Sequence, residues 1–349
     1  MNFGETEHDG ATATPAPHQR RPRYRGKNPR RFEEKYKEHD PQHHGATVAK
    51  VLASGKTPAG SHRPIMVAEI LEVLAPQPGK LAVDCTLGYG GHAEAILPRL
   101  LPGGCLIGLD ADPIELPKTE ARLCARGFGS DVFRAHRGNF AGIAKVLGER
   151  RADIILADLG VSSMQLDDPA RGFSMKHEGP LDMRMNPRRG QPASELIAKT
   201  TPDALAALLT ENANEVHALR IASAIGGRRF KGTTALAAAI RAALPEATED
   251  DRALSVRRVF QALRIAVNDE FSALDALLRL LPICLNSGGR VAILTFHSGE
   301  DRRVKKAFAA GIRGGIYAGA SDQVIRPAAG EQRANPRSAS AKLRWARRS

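Results

Sequence analysis

Four short runs, "KLAVDCT" (80–86), "GCLIGLD" (104–110), "DVFRAH" (131–136) and "DIILADL" (153–159), recur with helical text between them, and a fifth, "GGRVAILTF" (288–296), comes only after a long gap. Each is bounded by Gly, Pro or charged residues. Largely apolar runs separated by helix-length segments pair in parallel through crossovers and are covered on both faces. The pattern therefore predicts an α/β fold, a parallel sheet with helices on both sides. Within the gap, "ASELIAKTTPDALAALL", "NEVHALRIASAI" and "TTALAAAIRAAL" continue helical text to about residue 265. A strand pattern that resumes afterwards is better explained by a helical insertion into one sheet than by two domains in series. The expected divisions are a sheet domain of 61–168 and 266–349 with an inserted helical domain of 169–265. "QVIRP" (323–327) and "SAKLRWARR" (340–348) are expected to form a closing pair of strands, and there is no internal repeat.

The net charge of +13 favours a polyanionic partner, nucleic acid or an anionic surface. No stretch approaches ~18 uninterrupted apolar residues, which argues against a membrane span. Cys85, Cys105, Cys124 and Cys284 lack C-x-x-C spacing, so neither a disulfide framework nor a zinc site is expected, and no metal is called for. With no apolar segment at the N-terminus, the expected location is cytoplasmic. Residues 1–60 are polar and contain "RRPRYRGKNPRR" (20–31), a composition too poor in apolar surface to offset chain entropy. A disordered basic tail is expected there, either an arm along phosphates with Tyr24 and Phe32 stacking on bases, or a solubilising extension.

"DCTLGYGGHAEAIL" (84–97) joins the first strand to a helix through Gly88, Gly90 and Gly91. Glycines there let a ligand approach the backbone at a helix N-terminus. The same loop suits NAD, FAD or S-adenosylmethionine, and equally a tight turn with no ligand. Asp110, closing the second strand, stands where a carboxylate reaches ribose hydroxyls. Together with Asp84 it makes an adenosine ligand the favoured reading, of open class.

The stretch "DLGVSSMQLDDPARGFS" (158–174), continuing into "GPLDMRMNPRRGQPASELI" (179–197), resembles the bacterial 16S ribosomal RNA (cytosine-N4) methyltransferase family. "HRPIMVAEIL" (62–71), "FQALRIAVNDE" (260–270), "FHSGEDRRVKKAF" (296–308) and "NPRSASAKLRWARR" (335–348) resemble it in the same order, so the resemblance covers about 61–349, with the tail outside it. It implies a Rossmann-like methyltransferase sheet with a helical insertion for substrate recognition, and S-adenosyl-L-methionine as cofactor. The implied reaction is methyl transfer to the N4 of a cytidine in 16S ribosomal RNA or the small ribosomal subunit. It further implies cofactor contacts at Gly90, Gly91, His92, Asp110, Phe140, Asp158 and Gln165. Tyr89, Cys85, Gly299 and the stretch 212–222 depart from the family pattern.

Cytosine N4 is a poor nucleophile because its lone pair is conjugated, so the site needs acceptors for the N4 hydrogens. Asp158 with the Leu159 carbonyl is the expected acceptor pair, and His297 a second proton acceptor or a structural residue. Phe173 or Phe296 would support an extruded base, or sit in the core. Arg171, Arg184, Arg188 and Arg189 are expected phosphate contacts, or a solvated face. Two other readings stay open: an NAD-dependent oxidoreductase, and a non-catalytic RNA-binding assembly factor.

Overall fold

The computed structural model describes residues 64–349; the tail expected over 1–60 lies outside the described residues. In chain order the elements are α1 (Val67–Leu74), β1 (Leu81–Asp84), α2 (Gly91–Leu100), β2 (Cys105–Asp110), α3 (Glu115–Ala125), β3 (Phe133–Arg137), α4 (Ile143–Leu147), β4 (Ala152–Asp158) and α5 (Ser163–Asp167). Then come α6 (Ala193–Lys199), α7 (Pro202–Ala213), α8 (Ala218–Ile225), α9 (Thr233–Ala242), α10 (Glu249–Asn268) and α11 (Glu270–Cys284). The chain closes with β5 (Leu285–Thr295), α12 (Ser298–Arg313), β6 (Tyr317–Ala320), α13 (Ala329–Ala334) and β7 (Lys342–Arg348).

The strands make one sheet of order β3-β2-β1-β4-β5-β7-β6. β1 to β5 are parallel, while β7 runs antiparallel between β5 and β6. All five expected inner strands form. The closing pair differs: 340–348 supplies β7, but its strand partner is β6 at 317–320, and 323–327 contributes only an isolated bridge from Ile325 to Leu343. Pro327 lacks the N–H that would extend that pairing, whereas "YAGA" anchors itself through buried Tyr317 against Phe308 and lays Gly319 against Trp345.

Two apolar clusters cover the sheet, one gathering Val83, Ile107, Ile155 and Ile293 with α4, α11 and α12, the other Ala82, Leu106, Leu156 and Leu294 with α1 and α2. Alternate residues of each strand thus serve opposite faces, as the two-residue period requires. A third cluster runs from Phe173 to Leu263 and joins α6 to α10 with no strand. α10 starts well, with Thr248 Oγ1 accepting the Asp251 N–H at 3.2 Å and three acids in its first turn, and continues through the expected boundary at 265 to Asn268.

Candidate functional site

Where the strand order turns from β1 to β4, crossovers leave in opposite directions and open a crevice beyond the strand ends. A cavity of about 650 Å³ lies there, and Asp84, Asp110 and Asp158, the last residues of β1, β2 and β4, all line it. Asp110 accepts from the Gly88 N–H through Oδ2 and from the Asp112 N–H through Oδ1, both at 2.7 Å, tying the glycine turn to β2. Burial pushes its carboxyl up to about 6 despite those two donors. Burial takes Asp84 to about 7, against the Thr86 N–H bond and with help from the Asp110 charge. Asp158 rises furthest, to about 8, through burial first and then the charges of Asp84 and Glu300. Three crowded, desolvated carboxyls raise one another's cost of ionisation, and a cation placed among them relieves it.

Gly88 and Gly90 take φ of +48° and +76°, the left-handed region that favours glycine. A Cβ on Gly90 would stand 2.9 Å from Thr119 Cγ2, and one on Gly91 2.9 Å from Pro64 Cγ. These glycines therefore admit the chain's own neighbours, a reason that ligand approach alone does not supply. Tyr89, a departure from the family pattern, carries the Arg122 guanidinium 3.4 Å above its ring.

The expected cofactor contacts Gly90, Gly91, His92, Asp110, Phe140, Asp158 and Gln165 all line this cavity. His92 is buried in the first turn of α2, its Nε2 3.8 Å from Asp158 Oδ2. The Asn139 side chain caps the turn that presents Phe140. Gln165 is already engaged: Oε1 accepts the Ser162 N–H at 2.9 Å, and Nε2 donates to Asp112 Oδ2 at 2.7 Å. Its visible work is to cap α5 and fasten it to the end of β2.

His297 is not among the lining residues. It caps α12, its Nδ1 accepting the Glu300 N–H at 3.4 Å and its Nε2 lying 3.2 Å from Glu300 Oε1, with Phe271 against its ring. Arg171 is turned inward as well, donating to Asp112 Oδ2 at 2.8 Å and to the Arg184 and Met185 carbonyls, so it buttresses the loop and does not present its charge to phosphate. Arg184 is held by Asp182, whereas Arg188 and Arg189 are exposed. Phe173 belongs to the helical cluster; Phe296 lines the cavity.

Sequence reasoning missed Asp112, Arg264, Glu270, Glu300 and Arg337. Arg264 donates to both oxygens of Glu270 at 2.8 Å, and with Glu270 and Glu300 lines the cavity. Glu270, His297 and Glu300 bring ligand atoms within 4.8 Å of one another, but the Arg264 guanidinium already supplies the cation. A charged residue inside the apolar text "FQALRIAV" was the available cue. Asp112 was visible as the second acid of "GLDAD".

The sheet order, the glycine turn and the acids at the strand ends define a Rossmann-like, S-adenosylmethionine-dependent methyltransferase. The family profile of the MraW methylases spans residues 59–349, and the chain belongs to that family. It is similar to ribosomal RNA small subunit methyltransferase H 2 of Alkaliphilus metalliredigens, 48% identical over 94% of this chain and 97% of the relative. It is also similar to ribosomal RNA small subunit methyltransferase H 1 of Lachnoclostridium phytofermentans, 47% identical over 94% and 93%. Ribosomal RNA small subunit methyltransferase H of Myxococcus xanthus is 40% identical over 81% and 96%. Residues 61–349 are 289 of the 349, so a match over 94% of the chain cannot fit inside them. The likeness to the first two relatives reaches into the tail, whereas the family profile begins at residue 59, close to the expected start at 61.

Proposed function

We propose that this chain transfers the methyl group of S-adenosylmethionine to the exocyclic N4 of a cytidine in small-subunit (16S) ribosomal RNA. The observation that carries the reading is the convergence of Asp84, Asp110 and Asp158 on one cavity beside the glycine turn. Relatives named ribosomal RNA small subunit methyltransferase H, at 46–48% identity, support the RNA substrate. A ribosomal RNA substrate supports a cytoplasmic location. An oxidoreductase would share the turn but not the family, and the intact strand-end acids argue against a non-catalytic factor.

The cavity wall fits the cofactor: its acids suit a cation, and its volume is that of a small-molecule site. Asp110 would take the ribose, the turn at Gly90, Gly91 and His92 the amino-acid portion, and Phe140 the adenine, with Gln165 holding the wall in place. S-adenosylmethionine supplies an electrophilic methyl group on a sulfonium. Asp158 and the Leu159 carbonyl accept from the N4 hydrogens, which frees the nitrogen lone pair from ring conjugation, and Asp158 takes the proton that N4 sheds. Because burial and two like charges hold Asp158 near 8, a neighbouring cation is what readies its carboxylate for that task. His297 acts through Glu300, whose carboxyl the imidazole and Arg264 hold low against burial. The helices of 169–265 form the substrate-recognition domain and 61–168 with 266–349 the methyltransferase domain.

Mapping methylated cytosines in small-subunit RNA by mass spectrometry, in a deletion strain and after complementation, tests the reading. One N4-methylcytidine should vanish, return with the wild-type gene and stay absent with Asp158→Ala. An unchanged map in the deletion strain overturns it.

A further inference from the structure

The cavity is electrically lopsided. The strand ends give it Asp84, Asp110 and Asp158, whereas α10, the last helix of the insertion, gives it Arg257, Arg264 and Asn268. Residues seven and eleven apart return to within about 20° of one another on a helix, so these three share a face. Arg264 is taken by Glu270, and Asn268 is fully used: Oδ1 accepts from the Met185 N–H at 2.7 Å, and Nδ2 donates to the Met183 and Arg264 carbonyls. Arg337, also on the wall, is paired with Asp167 at 2.5 Å. Arg257 alone among these arginines is exposed and has no carboxylate partner among the described residues. Being mid-helix, it has no cap or helix-end carbonyl to serve. Its backbone stands two turns, about 10 Å along the axis, from that of Arg264, whose guanidinium feels the charge of Glu300, as Asp158 does.

A nucleotide has the complementary lopsidedness, with a neutral base at one end and an anionic phosphate at the other. We propose that Arg257 binds a phosphate flanking the target cytidine, so that the insertion grips the nucleotide's backbone while the strand ends face its base. The inference rests on the methyltransferase reading above and adds a recognition residue to it. Arginine suits the role because its planar fork meets two phosphate oxygens at once and it keeps its charge at every physiological pH. The strand-end acids would serve the sulfonium, so the two charged ligands of the reaction are met by different elements.

The test uses the full-length protein with Arg257→Gln and Arg257→Lys, and small-subunit ribosomal RNA as the probe. Arg257→Gln should raise KM for RNA about tenfold, the loss expected for one charge-assisted hydrogen bond, with cofactor affinity by calorimetry unchanged. In direct RNA titrations its log-log salt slope should fall by about 0.7, one single-strand phosphate contact, and Arg257→Lys should restore it. A wild-type slope and KM in Arg257→Gln overturn the inference, as does cofactor affinity falling in parallel with RNA affinity. If the wild-type protein transfers no methyl group to this RNA, the proposed function fails instead, and the titration slopes still decide whether Arg257 meets phosphate.

Discussion

Asp158 costs the folded protein stability in its ionised form, the form that the proposed reaction uses. Its carboxyl sits at about 8 against an ordinary 3.8, faced by Asp84, Glu300 and the His92 imidazole. A carboxyl raised on folding contributes its stability fully below the unfolded pKa and loses it as pH rises through the folded one. Asp84 at about 7 and Asp110 at about 6 act in the same sense, so the ligand-free protein should lose stability from about pH 4 to 8. Asp158→Asn removes one share of that loss: urea unfolding should find it more stable than wild type by about 1 kcal/mol or more near pH 8.5, and little different near pH 4. Equal pH slopes in the two proteins contradict this. Asp110→Ala should weaken S-adenosylmethionine binding about ten- to a hundredfold, and calorimetry showing unchanged affinity refutes the ribose assignment. Asp110→Asn keeps an acceptor for the Gly88 N–H and separates a disturbed loop from a missing ribose partner. Asp110 and Asp158 were legible because each ends a strand run. Glu270 and Glu300 were not, because they reach the cavity from two separate elements, and nothing local in sequence says that these elements meet.

The junction of α10 and α11 turns on Asp269, in a left-handed conformation at φ +52°, with Arg264 and Glu270 clasped across it. Both side chains are largely buried, at 17% and 11% exposure, so removing one strands the other's charge. Glu270→Ala should therefore cost about 3 kcal/mol in thermal or urea unfolding, while Glu270→Gln, which keeps an acceptor, should cost less. A loss below about 0.5 kcal/mol would mean that solvent screens the pair. The loop of the long family motif has a comparable steric basis. Gly172 is left-handed at φ +71°, and a Cβ on it would run into the Pro180 carbonyl; one on Gly179 would run into that of Pro169. Elements with strong periodicity, β1 to β5 and the helices of the insertion, were legible at this scale. β6 was not, because three of the four residues of "YAGA" are Ala or Gly, poor strand formers, and its one pairing is to β7.

At the scale of the molecule, the helical insertion was legible as a change of rhythm, and the acid-lined crevice followed from the strand order that such a pattern permits. The basic tail is the part whose work is read from composition alone. Removing residues 1–58 should leave cofactor affinity untouched and flatten the salt dependence of RNA binding, by about 0.7 in log-log slope for each phosphate that the tail neutralises. An identical slope with and without the tail makes it a solubilising extension. The placing of β5 has a consequence for how the chain is made. β4 pairs with β5, Asp158 beside Leu294, yet everything from 159 to 284 is translated between them. At roughly 5–20 residues per second, β4 waits on the order of 10 s with one edge unpaired. During that interval its apolar run "IILA" (154–157) is open to association with other nascent chains. The nascent chain is thus, while still on a ribosome, a client for whatever shields strand edges as they emerge.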